Sequence, residues 1–234
     1  EDNINFAILR IKNVFLNSEY PFNENQRNIK LEKLCIENAI EYKEFDSQLI
    51  NPNQIKNNSG QPFKVFTPFS KKMRLLMSSE ILEETPEPLK QEKVVLNQDE
   101  VPDFEHIFAR DLNFPIENFP VTEESCDQRL EAFIDSSIEQ YKELRDIPSI
   151  TATSNLSSSF AIGLISSKQA INRVLSRLPD DAGTGQFTWI NEIIWREFYK
   201  YITYHFPHVS KGKSFNPKYD HISWRDDEAS FVKW

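Results

Sequence analysis

The chain has 234 residues, 39% of them apolar, and a formal net charge of −9, which is enough apolar material for one large domain or two small ones. No apolar run is long enough to cross a bilayer, and residues 1–20 lack the basic-then-apolar pattern of a secretory leader, so neither a membrane span nor export is expected. The acidic balance argues against a general nucleic-acid coat, whose sequence-independent affinity comes from Lys and Arg facing phosphates.

Residues 1–46 alternate in character. An apolar segment runs into NVFLN, a helical NENQRNIKLEKLCIENA follows, and a short strand-like IEYKEF closes the stretch. Strand, helix, strand implies a parallel pair and an α/β domain. Residues 47–122 are richer in Pro, Asn and acids, with INPNQIKNNSGQPF and TPEPLK as breakers, and read as a linker holding one helix near TPFSKKMRLLMSSE. Cys35 and Cys126 lie far apart without metal-ligand company and read as reduced thiols.

From about Val121 the pattern turns helical, giving an all-α region over 123–234. The helix in VTEESCDQRLEAFIDSSIEQYKEL is capped either by Thr122 or by Ser125 with Gln128. In ISSKQAINRVLSRLP, Ser166 with Gln169 forms a capping box, and Ala170, Ile171, Val174, Leu175 and Leu178 make the buried stripe. DDAGTGQ is a loop; its Gly183 and Gly185 follow no strand, so a dinucleotide fingerprint is a poor reading.

The segment TWINEIIWREFYKY, residues 188–201, is the unusual one. At about 100° per residue, Ile190, Ile194, Phe198 and Tyr201 share one side of a helix. Trp189, Glu192, Trp195, Arg196 and Tyr199 share the other, where a surface helix carries Lys, Glu and Ser. The expectation is a helix buried all round, with its second face against a cavity or ligand. Glu192 and Arg196 are spaced for an i,i+4 ion pair, but their aromatic company favours contact with a planar ligand, a nucleobase being one. Around this helix Arg196, Lys200, Lys211, Lys213 and Lys218 face a single Glu197, a local basic, aromatic surface on an acidic chain.

Other constellations are weaker. TATSNLSSSFAIGLIS packs hydroxyls ahead of an apolar run, and such positions either cap a helix or receive phosphate, capping being favoured on composition. His106, His205, His208 and His221 lack metal-ligand spacing. No GxSxG elbow occurs, so serine hydrolysis has no support.

WINEIIWREFY after TSNLSSSFAIGLIS, preceded by YKELRDIPSITATSNLS and, further upstream, by GQPFKVFTPF and EYPFNENQRN, resembles the class I cyclobutane pyrimidine dimer DNA photolyases of the photolyase/cryptochrome family. The resemblance covers nearly the whole chain. It implies an α/β plus all-α fold: residues 1–46 as the tail of a Rossmann-like antenna domain, 47–122 as the interdomain linker, and 123–234 as the first part of a helical FAD- and DNA-binding domain. A piece from the middle of a longer protein is therefore expected.

By the same resemblance, FAD is held by Tyr141, by Thr153, Ser154, Asn155, Leu156 and Ser157 in a phosphate-binding element, and by Trp189. Asn155 stands where the family has arginine, which removes a positive charge. Glu192 and Trp195 would meet a flipped-out dimer, Glu192 by hydrogen bonds and Trp195 by stacking, with Arg145, Arg196 and Tyr199 among the DNA contacts and Lys200, Lys211 and Lys213 as looser phosphate partners. Trp224 matches an electron-transfer tryptophan. Asn23 and Glu24 match contacts to an antenna folate, methenyltetrahydrofolate. The implied activity is light-driven dimer repair by a monomeric, cytoplasmic, bacterial-type enzyme acting on DNA, with no membrane or protein partner. The alternatives are a cryptochrome-type photoreceptor without repair and a non-enzymatic helical interaction module.

Overall fold

Val14 and Leu16 alternate with exposed neighbours in NVFLN, the period-two pattern of a strand with one covered face. The computed structural model describes residues 11–77 and 119–234, and there this stretch is β1 (Asn13–Asn17). Helix α1 (Phe22–Glu37) returns the chain to β2 (Glu41–Phe45). The two strands pair in parallel, Asn13 opposite Glu41 and Asn17 opposite Phe45, as a βαβ crossover requires. Cys35 and Ile40 form the buried centre, with Ile11, Val14, Leu31 and Tyr42 packed on it. Residues 1–10 and 78–118, including much of the expected linker and His106, lie outside the described residues.

Within 47–122 the expected helix is α2 (Phe66–Met77). Further along the chain come α3 (Glu123–Ser136), the short α4 (Tyr141–Leu144), α5 (Ser157–Ile162), α6 (Ser167–Leu175), the long α7 (Gly185–His205) and α8 (Glu228–Lys233). Of the two caps open for α3, Thr122 is the one used. Its Oγ1 accepts from the Ser125 amide at 3.1 Å while Ser125 Oγ accepts from the Thr122 amide at 3.2 Å. Ser166 and Gln169 make the same reciprocal pair at α6, at 3.1 and 2.9 Å. Ala170, Ile171 and Val174 are fully buried.

The described residues fall into two compact units, one from 11–76 with 191–234 and the other from Met77 with 119–190. In the second, Leu130, Phe133, Ile134, Ile138, Ile171 and Val174 are buried. Arg173 of α6 reaches Glu131 of α3 at 3.0 Å, and Arg177, just past the end of α6, reaches Glu131 at 2.7 Å and Asp135. These pairs are largely exposed and add little, so the unit rests on its buried apolar residues.

In the first unit α7 is the central element. Ile190 ends the other unit's share of the helix, and from there Ile193, Ile194, Glu197, Phe198 and Tyr201 are all buried. Five polar contacts join α7 to the connecting segment: Leu49 N–H to Glu197 (3.1 Å), His205 Nε2 to the Pro52 carbonyl (3.2 Å), Asn53 Nδ2 to Tyr204 Oη (2.6 Å), Tyr201 Oη to the Ile55 carbonyl (2.7 Å), and Phe63 N–H to Tyr201 Oη (3.0 Å).

Gly185, at the start of α7, has a tertiary reason for lacking a side chain. A Cβ there would lie 2.0 Å from the Ile138 carbonyl oxygen and 2.4 Å from that of Glu139. Both are backbone atoms that cannot swing aside. Gly185→Ala should therefore destabilise the fold by about 3 kcal/mol, read as an earlier urea midpoint with an unchanged slope.

Candidate functional site

In the unit of residues 119–190, Phe133 gathers the first group of expected site residues. Its ring meets Tyr141 edge-on, 5.8 Å between centroids, and Trp189 at 5.6 Å. Tyr141 and Trp189 are both buried. The Trp189 indole N–H donates to Ser154 Oγ at 3.2 Å, tying the first turns of α7 to the TSNLS loop. Phe133 was not singled out from sequence; it sits in the apolar stripe of α3 like any core residue.

The loop itself has an anion-receptive shape. Asn155 takes φ +51°, the left-handed conformation that Asn tolerates better than most side chains. Leu156 follows at φ −99°, ψ 6°. A left-handed residue followed by a right-handed one turns successive amides to the same side, a backbone nest for anions. The hydroxyl-rich stretch that favoured capping gives α5 no side-chain cap: Leu156 holds the cap position. Thr153 Oγ1 instead donates to Asn155 Oδ1 at 3.2 Å. Ser158 Oγ is buried with no hydrogen-bond partner among the described residues. Convergent amides, an uncapped turn and an orphan hydroxyl fit the phosphates of a dinucleotide. Leu156 is buried beneath, and Thr153, Asn155 and Ser157 are exposed. Arg145 lies over the Tyr141 ring at 5.8 Å and is 3.7 Å from Asp146.

In the other unit, the indole of Trp195 lies flat on Phe66, 3.4 Å between centroids and 5° between planes. Tyr199 flanks the indole at 5.6 Å and 24°, and is itself 62% exposed. Trp195 and Glu192 are half-buried. Phe66 belongs to GQPFKVFTPF but had no assigned role, because no spacing within 60–70 says which ring on α7 it will meet.

Arg196 turns toward its neighbour: Nη1 donates to Glu197 Oε1 at 2.9 Å. Glu197 is 3% exposed. Its position, seven after Ile190 and four before Tyr201, put it in the apolar stripe, which was the available signal. Lys200, one turn on, is half-buried, and burial, reinforced by the charge of Arg196, holds its ammonium below the usual lysine range.

The remaining residues are peripheral. Lys211 lies over the Phe22 ring at 3.5 Å, Lys213 is exposed, and Trp224 is 83% exposed. Asn23 and Glu24 are in the first turn of α1, where Phe22, Asn23, Gln26, Arg27 and Lys30 line an open hollow of about 440 Å³. Among the described residues no cluster of His, Cys, Asp and Glu is suited to a metal ion, and no helix is long and apolar enough to cross a membrane.

Residues 6–90 match the family model for DNA photolyase, and residues 189–234 that for the FAD binding domain of DNA photolyase. The deoxyribodipyrimidine photo-lyase of Escherichia coli K12 is 31% identical over 232 residues, covering 96% of this chain and 47% of that protein. A bacterial class III photolyase from Agrobacterium tumefaciens superposes with a TM-score of 0.76 at 27% identity, over 98% of this chain and 48% of that one. A Synechocystis sp. PCC6803 cryptochrome shares the fold, with a TM-score of 0.70 at 19% identity over 99% of this chain and 50% of its own. The chain belongs to the DNA photolyase family. It spans about half the length of the curated relatives it matches.

Replacing Phe66 by Ala should leave the Trp195 indole without its backing ring. The expected outcome is a loss of about 2 kcal/mol in urea unfolding together with a red shift of tryptophan emission, which the same titration records.

Proposed function

We propose that the protein carrying this chain is a light-driven lyase that repairs cyclobutane pyrimidine dimers in DNA. The observation that carries the reading is the Glu192 to Tyr199 surface of α7, where a half-buried indole is held flat by Phe66, a half-buried carboxylate lies one turn before it, and an exposed tyrosine follows.

The loop at 153–157, with Ser158, would hold the FAD phosphates, and Tyr141 and Trp189 would pack near the cofactor. Bound FAD, reduced and photoexcited, supplies the electron that splits the dimer. The chain's own share is binding and orientation. Trp195 offers a planar surface to a base pair lesion that is already poorly stacked, so extruding it costs less than extruding normal bases; photolyases are a named example of this strategy. Glu192 would hydrogen-bond a pyrimidine and hold charge that develops on it, a preorganised contact that needs no reorientation during the reaction. Arg145, Arg196 and Tyr199 would meet the DNA backbone, with Lys200, Lys211 and Lys213 further out. Trp224, at the surface, would pass electrons inward to restore reduced flavin. Asn23 and Glu24, beside the hollow on α1, would contact an antenna folate, methenyltetrahydrofolate. In this reading residues 1–46 end the antenna domain, 47–122 form the linker and 123–234 begin the flavin domain. The whole enzyme works as a monomer on chromosomal DNA in the cytoplasm.

A photoreceptor without repair and a plain interaction module make different predictions. Flavin-loaded protein is illuminated with blue light in the presence of a dimer-containing oligonucleotide, and intact thymines are measured. Light-dependent restoration is expected; bound flavin with no restoration would leave the photoreceptor, and no flavin the interaction module. Glu192→Ala should lower repair yield about tenfold or more at unchanged flavin content, and parallel loss of both would refute its role. Trp195→Ala should weaken binding to dimer DNA by about 1–3 kcal/mol, measured by gel shift. Asn155→Arg should tighten flavin retention by adding a charge-assisted hydrogen bond, while costing about 1 kcal/mol of apo-protein stability because the backbone there is left-handed.

A further inference from the structure

We propose that Ser154 is the positioning residue for Trp189, tying its indole to the phosphate loop so that a diphosphate held by the loop and the orientation of the indole are coupled; this rests on the flavin reading above. The Trp189 indole N–H donates to Ser154 Oγ at 3.2 Å. Trp189 is 3% exposed, and Ala152 and Leu156, on either side of Ser154, are buried. The loop is thus anchored at both shoulders, with Ser154 half-buried between them. Thr153 Oγ1 turns inward to Asn155 Oδ1 at 3.2 Å, whereas Ser154 reaches a separate element, the first turns of α7.

Apolar packing alone does not fix the indole. The Phe133 ring meets it at 5.6 Å and 42°, a hydrocarbon contact that does not distinguish one edge of an indole from the other. The torsion that turns such a ring over is roughly two-fold, and the two orientations differ in where the N–H points. In one the N–H has the Ser154 oxygen. In the other a buried donor has lost that acceptor, which carries a desolvation cost. Ser154 therefore selects the first.

A hydroxyl that accepts one hydrogen bond still has its own proton to donate. Beside Ser154, the left-handed Asn155 and the following Leu156 turn their amides into the nest that fits phosphate. Giving its proton to a phosphate oxygen there makes the Ser154 oxygen a better acceptor for the indole N–H, because hydrogen bonds in a chain polarise one another. Diphosphate binding and indole orientation then favour each other by the same factor.

Two measurements test this. In flavin-free protein the indole proton of Trp189 is assigned by NMR through its disappearance in Trp189→Phe. Ser154→Ala should move that signal upfield, as for a donor deprived of its acceptor; an unmoved signal overturns the proposal. FAD is then titrated into native protein, Ser154→Ala, Trp189→Phe and the double variant. Ser154→Ala should raise the dissociation constant about tenfold in the native background, where the phosphate contact and the tie to Trp189 are both lost. In the Trp189→Phe background only the phosphate contact is left to lose, and the rise should be about threefold. Equal effects in the two backgrounds, or no effect in the native one, overturn the proposal. Native protein that takes up no FAD refutes the flavin reading itself, whatever the indole signal does.

Discussion

Backbone amides and carbonyls buried against a helix must find partners, and at Leu49, Pro52, Ile55 and Phe63 those partners are side chains of α7. Glu197, Tyr201, Tyr204 and His205 each reach out from the helix to this segment. A purely aliphatic face would have offered nothing to the Leu49 and Phe63 amides, and each orphaned group would cost about 1–3 kcal/mol. The helix therefore has to be apolar in body and polar at its tips. That is why tyrosines and one acid sit among isoleucines, and why a segment with little regular structure can pack against it at all.

This arrangement makes the connecting segment part of the candidate site. Segment 49–63 leads directly into α2, whose first residue is Phe66, the ring on which Trp195 rests. The residues nearest a bound dimer in the proposed reading are thus supported from a different part of the sequence. In the other unit the same logic recurs on a smaller scale: Phe133 underlies both Tyr141 and Trp189, and Ser154 receives the Trp189 N–H. Rigid packing behind a binding face keeps the face in its working geometry without the ligand's help.

Much of this was legible in the residues alone. Period-two and period-3.6 patterns located β1, β2, α1, α2, α6 and the buried side of α7, because those patterns report which side of an element leaves water. The Ser166–Gln169 box was readable because its two partners are three residues apart. The choice between Thr122 and Ser125 was not, since both were chemically competent and the start of the helix decided between them. Arg196 shares a helical face with Glu192 and Trp195 by spacing, and its Nη1 also reaches Glu197, a contact that spacing does not announce. Helical spacing fixes where a Cα sits, and four flexible bonds then decide where a guanidinium ends. The stack of Phe66 on Trp195 joins residues distant in sequence, so no local periodicity encodes it. At 153–157 composition pointed to a cap, but the left-handed turn at Asn155 sets the amides in a nest instead, and such a turn is invisible to hydrophobic patterning.

The tethers between α7 and the chain from Leu49 to Phe63 also have a consequence for length. Because Ile55 and Phe63 are both fastened to Tyr201, a residue added in the exposed turn at 58–60 would be taken up there as surface slack. One added between Phe63 and Phe66 would instead slide the Phe66 ring by about 3.3 Å, the thickness of one aromatic layer, and uncouple it from the indole. Spacing between Phe63 and Phe66 is thus under as tight a constraint as any side chain on α7, although Lys64 and Val65 are themselves exposed.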